Sequence, residues 1–63
     1  MGKYRGQRLE VLALIDAEMP VIAVNWLETY KEMKDVIEMD LAMNGYALFR
    51  ESNGIRTYKK IAP

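Results

Sequence analysis

The sequence predicts an α+β fold in which a small helical unit of two or three helices precedes a C-terminal β-hairpin. An Asn-Gly pair stands between two alternating runs near the C-terminus, and apolar residues recur at helical spacing over 7–18 and 26–43. We expect residues 1–63 to form a single domain, because a chain of 63 residues is too short to build two cores.

The N-terminal half begins with residues 1–6, which we expect to be flexible because glycine stands at two of these six positions. Apolar residues then recur at intervals of three and four, which predicts a helix over 7–18. Pro20 ends this helix, because proline lacks a backbone donor and restricts the residue before it. The apolar residues 21–24 fit either a short strand or the first turn of a second helix that starts at Pro20.

The second helical pattern covers residues 26–43, as one long helix or two short ones. Asn25 suits the N-cap of a single long helix. Thr29 and Glu32 instead fit a capping box, which would divide the segment in two. Gly45 then suits the left-handed position that ends a helix.

The C-terminal hairpin is predicted over residues 46–61, with Asn53-Gly54 as a two-residue type I′ turn. A three-residue loop with a bulge is the alternative, and it would shift the pairing by one residue. We favour the two-residue turn because its register forms two favourable cross-strand side-chain pairs, one aromatic and one of opposite charge. These pairs are Phe49 with Tyr58 and Glu51 with Arg56.

Residues 36–48 (VIEMDLAMNGYAL), followed by 53–59 (NGIRTYK), resemble the winged-helix domain. In that family a recognition helix, with an apolar residue four positions before a terminal glycine, leads into a strand, a basic turn and a returning strand. Leu41 and Gly45 hold the two places here. Upstream, the predicted helix over 7–18 and residues 21–24, read as a strand, occupy the places of the family's first helix and first strand.

The chain also departs from the winged-helix pattern. No glycine lies between Pro20 and Asn44, where the linker of the helix-turn-helix often has one. The segment from Pro20 to Gly45 is also a few residues short, so that the second helix would have only about one turn. A helix-helix-hairpin unit without a helix-turn-helix therefore remains open.

Charge is distributed unevenly although the net charge is zero. Residues 1–9 carry a net charge of +3, residues 10–40 carry −6, and residues 41–63 carry +3. The two ends are therefore basic and the helical middle is acidic. Such asymmetry bears on binding partners rather than on the fold.

The winged-helix resemblance implies DNA binding, with the helix in the major groove and the hairpin near the phosphate backbone. Residues 31–40 of that helix carry a net charge of −2, which disfavours contact with phosphates. We therefore expect the basic residues of the hairpin and the N-terminus to carry most of the binding, although the same charges also fit a solvated surface and edge-strand protection. The predicted nucleic-acid-binding residues are Arg5, Arg8, Lys34, Arg50, Asn53, Arg56, Lys59 and Lys60.

A rival hypothesis is a protein–protein interaction module, such as a small inhibitor or adaptor. The chain has many large, soft side chains for its size, and those surplus to the core would form a surface for a protein partner or a homodimer. The same side chains also fit a role as core filling. The candidates are Trp26, Tyr30, Met33, Met39 and Met43.

The composition argues against enzymatic activity. The chain has no histidine and no cysteine, and none of its hydroxyl groups lies in a motif with a base. We expect no catalytic residue, no metal and no cofactor. Without cysteine, a signal peptide pattern or a membrane-spanning apolar run, we expect a cytoplasmic protein with no membrane association.

Overall fold

The computed structural model describes the backbone of residues 3–61 and the side chains of residues 7–61. It confirms the α+β class, with two helices packed on one face of a three-stranded antiparallel sheet whose strand order is β1-β3-β2. This arrangement is compatible with a small winged-helix-like unit. The elements in chain order are α1 (Lys3–Asp16), β1 (Val21–Asn25), α2 (Lys31–Met43), β2 (Tyr46–Ser52) and β3 (Ile55–Lys60).

Helix α1 begins at Lys3, four residues before the predicted start at residue 7, while residues 1–2 lie outside the described part of the chain. Glycine weakens a helix by about 1 kcal/mol relative to alanine but does not break it, so α1 accommodates Gly6. The helix ends two residues before the predicted position. Its end at Asp16 is followed by a turn with Glu18 in the left-handed region, at φ 56°.

Strand β1 resolves the ambiguity at residues 21–24. Ile22 and Val24 are buried and their neighbours are exposed, which is the alternation of a strand with one covered face. Strand β1 pairs with β3 in antiparallel register, with Ile22 opposite Tyr58. The segment is therefore a strand and not the first turn of a helix.

The predicted helix over 26–43 is wrong in its first five residues. The Glu28 N–H donates to Asn25 Oδ1 at 3.3 Å, and the Thr29 hydroxyl donates to the Asn25 carbonyl at 2.7 Å. These bonds close a single turn, so Thr29 does not cap α2. Helix α2 starts at Lys31 without a side-chain cap, and the Tyr30 N–H donates instead to Gln7 Oε1 of α1 at 3.1 Å.

The hairpin turns at Asn53-Gly54 with φ values of 53° and 78°, as a type I′ turn requires. The predicted pairing of Glu51 with Arg56 is confirmed. The pairing of Phe49 with Tyr58 is wrong, because a bulge between Leu48 and Arg50 places Leu48 opposite Tyr58. This extra residue shifts the register from Phe49 towards the start of β2.

The core lies between the two helices and one face of the sheet. The bulge places Tyr46 on the same face as Tyr58, and both rings are buried. The Tyr46 hydroxyl donates to the Met19 carbonyl, which ties β2 to the end of the α1 turn. The buried apolar residues are Val11, Ile15, Ile22, Val24, Ile37, Leu41, Tyr46 and Tyr58.

Candidate nucleic-acid interface

The sheet has a second face that none of the described elements covers. Strand β1 directs Val21 and Ala23 to this side, and both are exposed. Their partners Lys59 and Thr57 in β3 share the face, and Thr57 pairs in turn with Arg50. We call this surface the open sheet face; its residues are Val21, Ala23, Asn25, Ala47, Phe49, Arg50, Ser52, Ile55, Thr57 and Lys59.

Arg50 and Lys59 are the charged residues of the open sheet face. Within the part of the chain whose side chains are described, neither forms an ion pair with a carboxylate. The Lys59 ammonium lies 4.5 Å from the centroid of the Phe49 ring, which is 60% exposed. The face therefore combines two cations with an accessible aromatic ring.

Arg56 lies on the opposite, helix-facing side and is held by intramolecular contacts. Its Nη1 is 3.1 Å from Glu38 Oε2, and its Nε is 3.2 Å from Glu51 Oε1. The guanidinium also stacks 4.3 Å from the centroid of the Trp26 ring. A hydrogen bond to the Tyr58 hydroxyl is the main reason that the pKa of Arg56 is raised, against the opposing effect of desolvation.

Arg8 is also paired, in this case between the two helices. Its Nε and Nη2 donate to the two carboxylate oxygens of Asp40 at 2.9 and 3.3 Å. This hydrogen bonding and the charge of Asp40 raise the pKa of Arg8 above its ordinary value. Arg5 lies in α1, and its side chain is outside the described part of the chain.

The other predicted basic residues lie at the margins of the helical layer. Lys34 Nζ is 5.8 Å from the Trp26 ring centroid, on the ring that Arg56 also contacts. Lys60 Nζ is 3.5 Å from the Asn44 carbonyl at the end of α2, where a cation complements the helix dipole. The structure therefore separates Lys34 and Lys60 from the open sheet face.

The five predicted partner-binding residues divide into two groups. Trp26 and Met33 are partly buried against the core, and Tyr30, which lies between them in the sequence, is half-buried. Met39 and Met43 are 61% and 77% exposed on α2. These two methionines line a shallow groove of about 350 Å³ together with Arg8, Asp35, Val36 and Asp40.

Phe49 is the candidate functional residue that the sequence prediction missed. The prediction paired it with Tyr58 inside the hairpin, whereas the bulge leaves it exposed beside Lys59. A signal was present in the alternation of β2, because a regular strand would have placed Tyr46 and Tyr58 on opposite faces. A one-residue bulge in β2 brings both rings to the same face of the sheet.

Neither a protein-family model, nor a curated protein, nor a solved structure matches the chain. The winged-helix resemblance therefore stays a prediction. Over the described residues, no group of three or more acidic side chains is placed to hold a metal ion. Neither described helix has the length and apolarity to cross a bilayer.

Proposed function

We propose that this chain is a small, non-enzymatic, winged-helix-like regulatory protein of the cytoplasm that binds nucleic acid through its hairpin. Arg50 and Lys59 are its principal phosphate contacts. Asn53 lies in the turn of the same hairpin, and Lys60 lies on the opposite, helix-facing side of β3. The observation that carries the proposal is the sorting of the cations into those that form ion pairs on the helical side and those that lie on the open sheet face. Arg56 and Arg8 are paired with carboxylates, whereas Arg50 and Lys59 form no ion pair with the residues that the structure describes.

This sorting matters because phosphate contacts with Lys and Arg supply most of the non-specific affinity for nucleic acid. A cation that already forms an ion pair must give up that pair to contact a phosphate. Among the described side chains, Arg50 and Lys59 have no such pair to break, and both are exposed. The carboxylates of α2 lie on the helical layer, away from the face that would meet the phosphates.

The proposal is tested by measuring binding of a fluorescent oligonucleotide between about 50 and 200 mM salt. Arg50→Gln and Lys59→Gln are each expected to weaken binding and to reduce the slope of log affinity against log salt by about 1. Lys31→Gln is the matched control, because it removes one cation from the exposed start of α2. Its affinity is expected to stay near that of the parent chain.

Two results would contradict the proposal. One is the absence of measurable binding at low salt. The other is an equal loss of affinity in all three variants, which would show that net charge alone governs binding.

A second candidate function is favoured by a different surface. Met39 and Met43 expose a soft apolar strip on α2, beside the ion pair between Arg8 and Asp40. Flexible methionine side chains suit a surface that packs against a protein. We therefore propose, as the alternative, a protein–protein interaction module that binds a protein partner or a second copy of the chain through this groove.

A further inference from the structure

We propose that the open sheet face binds single-stranded nucleic acid, with an unpaired base stacked on Phe49. This inference rests on the proposed nucleic-acid-binding function and assigns it a substrate class. It also adds to the site a residue that makes no phosphate contact.

The position of Phe49 is the first observation. Phe49 lies at the bulge in β2, between Leu48 and Arg50, and 60% of its surface is exposed. Most large aromatic side chains in a domain of this size are needed for the core, as Tyr46 and Tyr58 are here. Phe49 instead lies on a sheet face that no described element covers.

The charges around Phe49 are the second observation. Lys59 Nζ lies 4.5 Å from the ring centroid, and Arg50 follows Phe49 directly in β2. The open sheet face includes no acidic residue, so its charge is complementary to a phosphodiester chain. The Lys59 ammonium lies over the ring, and single-strand binding surfaces combine such aromatic rings, which stack bases, with cations that neutralise the neighbouring phosphates.

The placement of the ring favours unpaired bases over a duplex. In a duplex each base is stacked between its neighbours, so an aromatic side chain on a sheet surface reaches a base face only where the strand is unpaired. Docking of α2 into a major groove would bring Glu32, Asp35 and Glu38 towards phosphates. The open sheet face contacts a strand without that repulsion.

Binding of a labelled oligothymidine of about 12 nucleotides is compared with binding of a duplex that carries the same number of phosphates. The parent chain is expected to bind the single strand about 10-fold more tightly or better. Phe49→Leu keeps an apolar side chain but removes the ring, and we expect it to weaken single-strand binding by about 10-fold while duplex binding changes little. Phe49→Tyr is expected to retain the parent affinity.

The controls separate stacking from folding and from charge. Leu9→Ala changes an exposed apolar residue on α1 and is expected to leave single-strand affinity unchanged. Thermal unfolding of each variant verifies that the fold is intact. Inorganic polyphosphate supplies the charge without bases and is expected to compete poorly at equal phosphate concentration.

The possible failures are distinguishable. Equal affinity for single strand and duplex, no effect of Phe49→Leu, or full competition by polyphosphate overturns this inference. If binding then still depends on Arg50 and Lys59, the proposed function stands without it. If neither nucleic acid binds at low salt, both proposals fail.

Discussion

Glu18 holds a left-handed backbone conformation at φ 56°, which costs a non-glycine residue about 1–2 kcal/mol. The reason lies in the turn after α1. The Glu18 N–H donates to the Ile15 carbonyl at 2.9 Å, and the Met19 N–H donates to the Leu14 carbonyl at 3.2 Å. These two bonds form a Schellman motif, in which glycine usually occupies the position of Glu18.

We predict that Glu18→Gly raises the free energy of unfolding by about 0.5–1 kcal/mol, because glycine adopts this φ without a Cβ clash. Glu10→Gly is the matched control: it removes the same side chain from the exposed middle of α1 and is expected to lower stability by about 1 kcal/mol. Urea denaturation monitored by circular dichroism measures both. A loss of stability in Glu18→Gly would contradict the assignment of strain to this residue.

Among the elements, Arg56 joins α2 to both strands of the hairpin. It reaches Glu38 on α2 and Glu51 on β2 while its own backbone belongs to β3. Trp26 covers the guanidinium plane, and the side chain of Arg56 is only 20% exposed. The sequence prediction assigned Arg56 to phosphate binding, whereas these contacts favour a structural role.

We predict that Arg56→Met lowers the free energy of unfolding by about 1–2 kcal/mol, through loss of the stacking on Trp26 and of two partly exposed ion pairs. Arg50→Met, in the same hairpin, is expected to change it by less than about 0.5 kcal/mol, because Arg50 is exposed and has no ion pair among the described residues. Chemical denaturation compares the two variants. Equal losses would show that Arg56 does not connect the elements.

At the scale of the whole molecule, the two layers present different surfaces. The open sheet face carries cations, and the helical layer carries most of the carboxylates together with the apolar groove at Met39 and Met43. A domain of 63 residues buries only about 60% of the surface that its unfolded chain exposes. The exposed methionines Met39 and Met43 are not part of the core, so they can contact another molecule without disturbing its packing.

We predict for the alternative function that the chain, of 7.3 kDa, self-associates as its concentration rises. Replacing both Met39 and Met43 by lysine is expected to keep it monomeric, because each buried ammonium would add a desolvation cost at the interface. Leu27→Lys is the control, since Leu27 is 79% exposed and lies outside the groove. Sedimentation velocity measures the distribution of mass.

Association that is unaffected by the two lysines would place the contact elsewhere on the molecule. A monomer at every concentration, combined with no captured protein partner, would remove the second candidate function.

The sequence alone predicted the α+β class, the type I′ turn at Asn53-Gly54 and the end of α2 before Gly45. Each of these follows from local rules, because few residues tolerate positive φ and a helical period repeats over many positions. The predicted C-terminal end of α2 is therefore confirmed, and Gly45 beyond it has a φ of 84°.

Only the tertiary structure decided where α2 begins, where β2 bulges and which cations are paired. The Tyr30 N–H donates a hydrogen bond to the Gln7 side chain, 23 positions away, and no local sequence pattern predicts that bond. The bulge brings Tyr46 and Tyr58, which belong to different strands, to the same buried face of the sheet. Arg56 and Lys59 lie three positions apart on β3, so their side chains point to opposite faces of the sheet, because successive side chains of a strand alternate. Arg56 therefore forms ion pairs with two carboxylates on the helix-facing side, whereas Lys59 is exposed on the open sheet face.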